Sequence, residues 1–177
     1  MKKILSIFSL ILISTVAQAR ISGGGYLFNI NTNYDQVKTE SEPSGATSEG
    51  TQTVHDIKLG MIGDSLYLGA ILTSRSDQSP GLEDETGSAT GVSAGYFFES
   101  GFYFMAHYYI SAKYGTLEEG TGYQFDLAYL MMVSQKFHVG VELSSRSIKY
   151  TEDTSNAALE SYTLNETFPM LTLGFIF

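Results

Sequence analysis

The chain of 177 residues contains no cysteine, no tryptophan and only 3 prolines. Without cysteine there is no disulfide framework, no thiolate metal site and no Cys for lipid acylation. Charged residues make up 16 %, below the roughly one quarter usual in a soluble domain. Basic residues are scarcer still. Ten Lys and Arg stand against 19 Asp and Glu, for a net charge of −9. Beyond Lys2-Lys3 no basic cluster exists. That excludes nucleic acid as a partner, because phosphate binding needs clustered Lys and Arg. No phosphate-cradling glycine loop precedes a helix; the glycines lie at strand alternation or in turns. Past Ala19 no apolar run approaches the ~20 residues a spanning helix requires.

What is present begins with a leader. Lys2 and Lys3 are followed by the apolar run Ile4 to Val16 and by Ala17-Gln18-Ala19. This order of charge, short apolar stretch and small-x-small motif reads as a signal peptide over 1–19, cleaved before Arg20. The remaining 20–177 reads as one domain.

That domain is dominated by period-two alternation, the signature of strands. The longest case is Gly101 to Tyr114. Phe102, Phe104, Ala106, Tyr108, Ile110, Ala112 and Tyr114 fall on one face, and Tyr103, Met105, His107, Tyr109, Ser111 and Lys113 on the other. The length exceeds the roughly nine to eleven residues a tilted strand needs to cross lipid. The same alternation predicts eight strands: about Ser22–Val37, Gln52–Ile62, Ser65–Asp77, Gly87–Phe98, Gly101–Tyr114, Thr121–Ser134, Phe137–Tyr150 and Ser161–Phe177. Tight turns are expected at Gly63-Asp64, at Glu99-Ser100-Gly101 and around Gln135-Lys136. Longer polar connections are expected at Lys38–Thr51, Gln78–Thr86, Gly115–Gly120 and Thr151–Glu160. The two kinds alternate, so turns gather at one end and loops at the other. Two irregularities are predicted: a bulge or an exit from the membrane beyond Arg146, and a bulge at Pro169.

Lipid offers no hydrogen bonds, so a spanning sheet must close. The predicted fold is all-β: an eight-stranded antiparallel up-and-down transmembrane β-barrel. Gly25, Gly60, Gly69, Gly95 and Gly140 leave room in its narrow lumen. Phe98, Phe102, Phe137, Phe175 and Phe177 form a girdle near the turns, and Tyr34, Tyr114, Tyr123 and Tyr150 one near the loops. A soluble lipocalin-type barrel also fits a leader and eight strands. The charges on the presumed inner face, the two aromatic girdles and the lack of Trp favour lipid.

In these features the chain resembles the small eight-stranded outer-membrane barrels of Gram-negative bacteria, the OmpA-like and OmpX-like group. The likeness covers Arg20 to Phe177. Its ending, LTLGFIF, resembles the last-strand signal read by the barrel-assembly machinery, with Leu171, Leu173, Phe175 and Phe177 at alternating positions. The resemblance implies a monomer in the outer membrane, in contact with its lipid and lipopolysaccharide. It leaves activity open, because such barrels serve as adhesins, anchors, narrow pores and enzymes. No peptidoglycan-binding domain follows Phe177 here, so an anchoring role is not expected.

The lumen set is Asp56, Lys58, Arg75, His107, Lys113, Asp126, Glu142 and Arg146. Buried charges must pair, so a mutually neutralising polar core is the expected reading, with Asp126 placed diagonal to Arg146. A gated pore is the alternative. A lipid-modifying enzyme, as in the lipid A deacylase and palmitoyltransferase barrels, requires a nucleophile, a His base and an acidic orienter. His55 and Ser74 supply two members on the lipid face, but no carboxylate joins them. The three His share no spacing, so neither a metal nor another cofactor is expected. The acidic runs Glu40–Glu49 and Glu83–Glu85 read as solvated loop surface. The expectation is a structural or surface-interaction protein rather than an enzyme.

Overall fold

The computed structural model describes residues 24–41, 46–79, 81, 84–155 and 161–177. The predicted leader over 1–19, Pro43 and Gly45 of the first loop, and 156–160 of the last lie outside the described residues. Eight long strands follow in chain order. They are β1 (Gly25–Ser41), β2 (Ala46–Gly63), β3 (Leu66–Gln78), β4 (Glu85–Phe97), β5 (Phe102–Tyr114), β6 (Leu117–Met132), β7 (Phe137–Tyr150) and β8 (Tyr162–Ile176). Each pairs antiparallel with its neighbour, β8 pairs with β1, and the sheet closes. A two-residue strand, Glu152–Asp153, adds to the start of β6.

The barrel is inverted relative to a soluble one. Leu66, Leu68 and Leu171 face outward at 64, 68 and 66 % exposure, while Asp56, Lys58 and Asp126 are fully buried inside. Water would penalise such an exterior, and lipid requires it. Outward apolar alternation runs for seven residues in β3 (Leu66–Leu72) and nine in β5 (Phe102–Ile110). At about 3.3 Å per residue and a tilt of roughly 40°, this makes an apolar band roughly 18–23 Å tall. Above it the outward positions turn polar, with His55, Ser74, Thr90, Thr121, Ser145 and Thr167.

At the turn end an aromatic girdle forms. Phe137 meets Phe175 at 4.9 Å between ring centroids, Phe102 meets Tyr129 at 4.9 Å and Tyr26 meets Phe177 at 6.3 Å. Gly101 takes φ 88° in the three-residue turn, where the Phe98 N–H donates to the Phe102 carbonyl at 2.8 Å. Only glycine enters that left-handed region without strain. The first tight turn sits one residue later than expected. Gly63 pairs with Leu66, and Asp64 (φ 51°) with Ser65 makes the turn.

Several expectations are corrected. The stretch Lys38–Thr51 is mostly strand: β1 and β2 pair continuously out to Ser41 and Ala46. Gly115–Gly120 is not a long loop, since Tyr114 already pairs with Leu117. No register shift occurs beyond Arg146 or at Pro169. Ile148 and Tyr150 simply continue inward and are buried. Tyr114 and Tyr150 therefore line the interior and do not belong to the loop-end girdle, where Tyr34 and Tyr123 do face outward.

Two irregularities lie elsewhere: one in β6 between Leu117 and Gly120, where Glu119 takes φ 52°, and one in β5. Gly91 pairs with Tyr109 and Thr90 with Ser111, so Ile110 is an extra residue in β5. An extra residue reverses side-chain parity. From there Ala112 points inward and Lys113 outward. Lys113 is thus no lumen residue: it is 58 % exposed and donates to Glu118 at 2.8 Å. In folded protein, Lys113→Cys should react with a membrane-impermeant maleimide and Ala112→Cys should resist it. The opposite pattern would remove the bulge.

The β1–β8 ladder is short. It holds Leu27–Thr32 against Ile176–Leu171, and just past it Tyr26 and Phe177 exchange backbone hydrogen bonds at 2.7 and 3.0 Å. Above it, the Asn33 side-chain amide donates to the Pro169 carbonyl at 2.7 Å. Proline has no N–H to offer a ladder, and the side chain of Asn33 takes over where the backbone pairing stops.

Candidate functional site

The interior is layered. Nearest the turns, Leu27, Ile62, Tyr67, Phe97, Leu130 and their neighbours form an apolar cluster. Tyr67 lies over the paired Gly60 and Gly69, where a Cβ would meet its ring or hydroxyl at 2.7 and 2.3 Å. Alongside, His138 Nε2 and Asn29 Oδ1 lie 2.7 Å apart.

The middle layer is ionic. The Lys58 ammonium on β2 sits between two carboxylates. It donates to Glu142 on β7 at 2.7 and 2.8 Å and to Asp126 on β6. Asp126 also meets His107 Nε2 at 2.6 Å, and His107 Nδ1 meets the Ser93 hydroxyl at 2.6 Å. Glu142 accepts from the Tyr103 hydroxyl, from Asn31 at 2.7 Å and from Ser144 at 3.1 Å. One step towards the loops, Arg146 donates to both Asp56 oxygens at 3.0 and 3.1 Å and to Gln124 Oε1 at 2.7 Å. Gln124 joins the two halves, donating to Asp56 at 3.0 Å and to Asp126 at 2.9 Å. Thr73 completes the Asp56 shell at 2.6 Å.

Three carboxylates here face two fixed cations. Their remaining acceptor sites are met by neutral donors converging from β1, β3, β5 and β7. Asp126 does lie diagonal to Arg146, since Gln124 pairs with Arg146 and Asp126 with Ser144, but the two make no salt bridge. Arg146 reaches across the barrel to Asp56, and Asp126 is taken by Lys58 and His107. Composition alone did not single out Tyr103, Gln124, Asn31, Thr73 or Ser93. Their signal was inward parity beside the charged positions.

Above the ions, Ile71, Ala89, Tyr109, Ala112, Ile148 and Tyr150 form a second apolar cluster. Above that, the loop end opens into a cup of about 740 Å³. Arg75 lies in it, not in the ionic layer. Its guanidinium donates to Asp77 at 2.6 and 2.8 Å and to Glu166, and stacks 4.5 Å from the Tyr114 ring centre. Burial opposes the Arg75 charge, but the hydrogen bond to Asp77 and the carboxylate of Glu166 outweigh it and raise its pKa. Burial, with the acceptors Asp77 and Glu85, lifts the Tyr114 phenol well above its ordinary value. Asp84 and Glu85 stand on the exposed rim.

On the outer surface, His55 and Ser74 occupy paired positions, as the parity predicts. His55 Nδ1 instead meets the Thr32 hydroxyl at 3.0 Å. Among the described residues no carboxylate completes a triad there, and no three His, Asp or Glu converge to hold a metal.

No protein-family model matches the chain, and no curated protein matches it in sequence. Among solved structures it is similar to the outer membrane protein OprG from Pseudomonas aeruginosa. The identity is 10 %, the match covers 92 % of this chain and 99 % of that one, and the TM-score is 0.49.

Removing one partner of a buried ion pair leaves the others uncompensated, at about 3–5 kcal/mol. Lys58→Met and Arg146→Met should each lower the stability of the folded barrel by about that amount in urea titrations in lipid vesicles. Lys113→Met should leave the midpoint where it is.

Proposed function

We propose that this chain is an outer-membrane β-barrel whose body is a sealed scaffold and whose work is done by its external end. The apolar exterior, the turn-end girdle and the closed ladder support the placement in lipid. One observation carries the rest: the ionic layer is capped on both sides by apolar clusters. A solute path would have to displace Tyr109, Ile148 and Tyr150 above and Tyr67, Phe97 and Leu130 below. Eight strands leave a lumen that side chains fill.

The outward alternation of Leu171, Leu173, Phe175 and Phe177 supports recognition by the barrel-assembly machinery, with outer-membrane lipid and lipopolysaccharide as the surroundings. Strand count and inverted polarity are compatible with the OmpA-like and OmpX-like group, and the protein acts as a monomer. The polar ring at His55, Ser74 and Thr167 suits the carbohydrate zone of an outer leaflet.

Two measurements test this. The protein should fractionate with outer membranes and migrate differently in detergent gels before and after heating; recovery in the soluble fraction would refute the placement. In planar bilayers it should show no steady unitary current. Reproducible openings, abolished in Arg146→Ala, would establish a gated pore instead.

A further inference from the structure

On the lumen wall formed by β7, β8 and β1, a column of buried polar groups lacks protein partners. We propose that this wall binds a short file of internal waters, held as a fixed part of the fold beside the ionic layer.

The register sets the groups side by side. His138, Gly174 and Asn29 stand abreast in one row, and Gly140, Thr172 and Asn31 in the next. Asn33 follows two residues further along β1. Asn29, Asn31, Asn33 and His138 are each at most 6 % exposed. Every asparagine uses one end of its amide on the protein. Asn29 Oδ1 lies 2.7 Å from His138 Nε2, Asn31 Nδ2 donates to Glu142 at 2.7 Å, and Asn33 Nδ2 donates to the Pro169 carbonyl at 2.7 Å. The other ends, Asn29 Nδ2, Asn31 Oδ1 and Asn33 Oδ1, meet no protein group, and neither does His138 Nδ1.

Turning the amides over does not remove the free ends. In Asn31 it would set oxygen against the Glu142 carboxylate, and in Asn33 against the Pro169 carbonyl. In Asn29 it would only exchange which amide atom faces His138. The Asn29–His138 pair is itself fixed: a Cβ on Gly174 would lie 2.0 Å from Asn29 Oδ1 and 2.4 Å from His138 Nε2, so both side chains lean over that glycine.

A buried polar group without a partner is costly, and internal water is its usual companion. Folded proteins hold roughly one such water per 27 residues, each making about three hydrogen bonds. The free groups here are of both kinds, an N–H donor on Asn29 and carbonyl acceptors on Asn31 and Asn33. Water serves donors and acceptors alike. An anion would meet two amide oxygens next to Glu142, and a cation would be opposed by the Asn29 N–H. Apolar packing closes both ends of the column. Leu27 and Ile176 lie below it in the turn-end cluster, and Val54, Phe168 and Met170 form a cluster on the loop side. The waters are therefore bound, not flowing, and they occupy groups that the ion pairs leave free.

The test uses the full chain, perdeuterated and labelled at asparagine, in nanodiscs. Water-selective cross-relaxation is read at the side-chain amide protons in the laboratory and rotating frames. Asn29, Asn31 and Asn33 should each show a water cross-peak of opposite sign in the two frames, the mark of a long-lived bound water. Thr172→Val removes the exchangeable hydroxyl that stands next to Asn31, and the Asn31 cross-peak should persist. Asn29→Leu with His138→Leu removes both partners together, so that neither is left stranded. It should keep the Asn33 cross-peak and weaken the one at Asn31 by about twofold or more, as a neighbouring water loses a hydrogen bond.

Absence of a cross-peak at all three asparagines would overturn the proposal. So would cross-peaks of equal sign in both frames, which mark freely moving solvent, or loss of the Asn31 signal in Thr172→Val, which marks relay through the hydroxyl. An Asn31 cross-peak unchanged in the double variant would overturn the file. Loss of the cross-peaks when sodium and potassium are replaced by choline would assign the site to a cation instead.

Discussion

The fold depends on one ammonium group held between two carboxylates deep inside the barrel. Lys58, Asp126 and Glu142 are each 0–2 % exposed. An unpaired ion there would cost several kcal/mol, and attraction repays the desolvation only with good geometry and further hydrogen bonds. Those bonds come from strands around the whole barrel: Asn31 from β1, His107 and Tyr103 from β5, Ser144 from β7. The network therefore acts as a register gauge. A one-residue slip of any contributing strand would turn its donor to lipid and strand a charge inside.

The inverted arrangement follows from the same constraint. The exterior must be apolar to sit in hydrocarbon, so the polar side chains of each strand have only the lumen to occupy. They satisfy one another there because antiparallel closure brings alternate residues of all strands to one axis. Apolar clusters above and below keep water from competing with these pairs. Low local dielectric strengthens a satisfied network and penalises an unsatisfied one. The packing that satisfies these pairs also fills the lumen at this level.

Much of this was legible in the alternation of the sequence. The eight strands, the inward placement of Asp56, Lys58, His107, Asp126, Glu142 and Arg146, and the outward LTLGFIF ending follow from parity and turn chemistry. Lys113 was not legible. The single extra residue at Ile110 reverses parity without any Gly or Pro to announce it. Tyr114 and Tyr150 misled for another reason: tyrosine serves equally at a lipid interface and in a polar lumen, so its type does not fix its side. The stretch Lys38–Thr51 looked like a loop because its residues are polar, yet a hairpin standing clear of the apolar band needs no greasy face. The Asp126–Arg146 expectation considered neighbours along the sheet, whereas a barrel lets Arg146 reach Asp56 across the axis.

The short ladder between the first and last strands has a consequence for assembly. Six ladder pairs and the Tyr26–Phe177 exchange join β1 to β8, against ten to seventeen ladder pairs along every other edge. The seven hairpin contacts are local and form between sequence neighbours; the closing contact joins the two ends of the domain and bears the largest loop-closure entropy. The edge that closes last is thus also the one with least backbone holding it. Asn33 at Pro169, and Gln52 and Arg75 at Glu166, lie across its upper half like laces over an open collar. A ring built this way has its weakest backbone pairing along that one line, and opens most readily there.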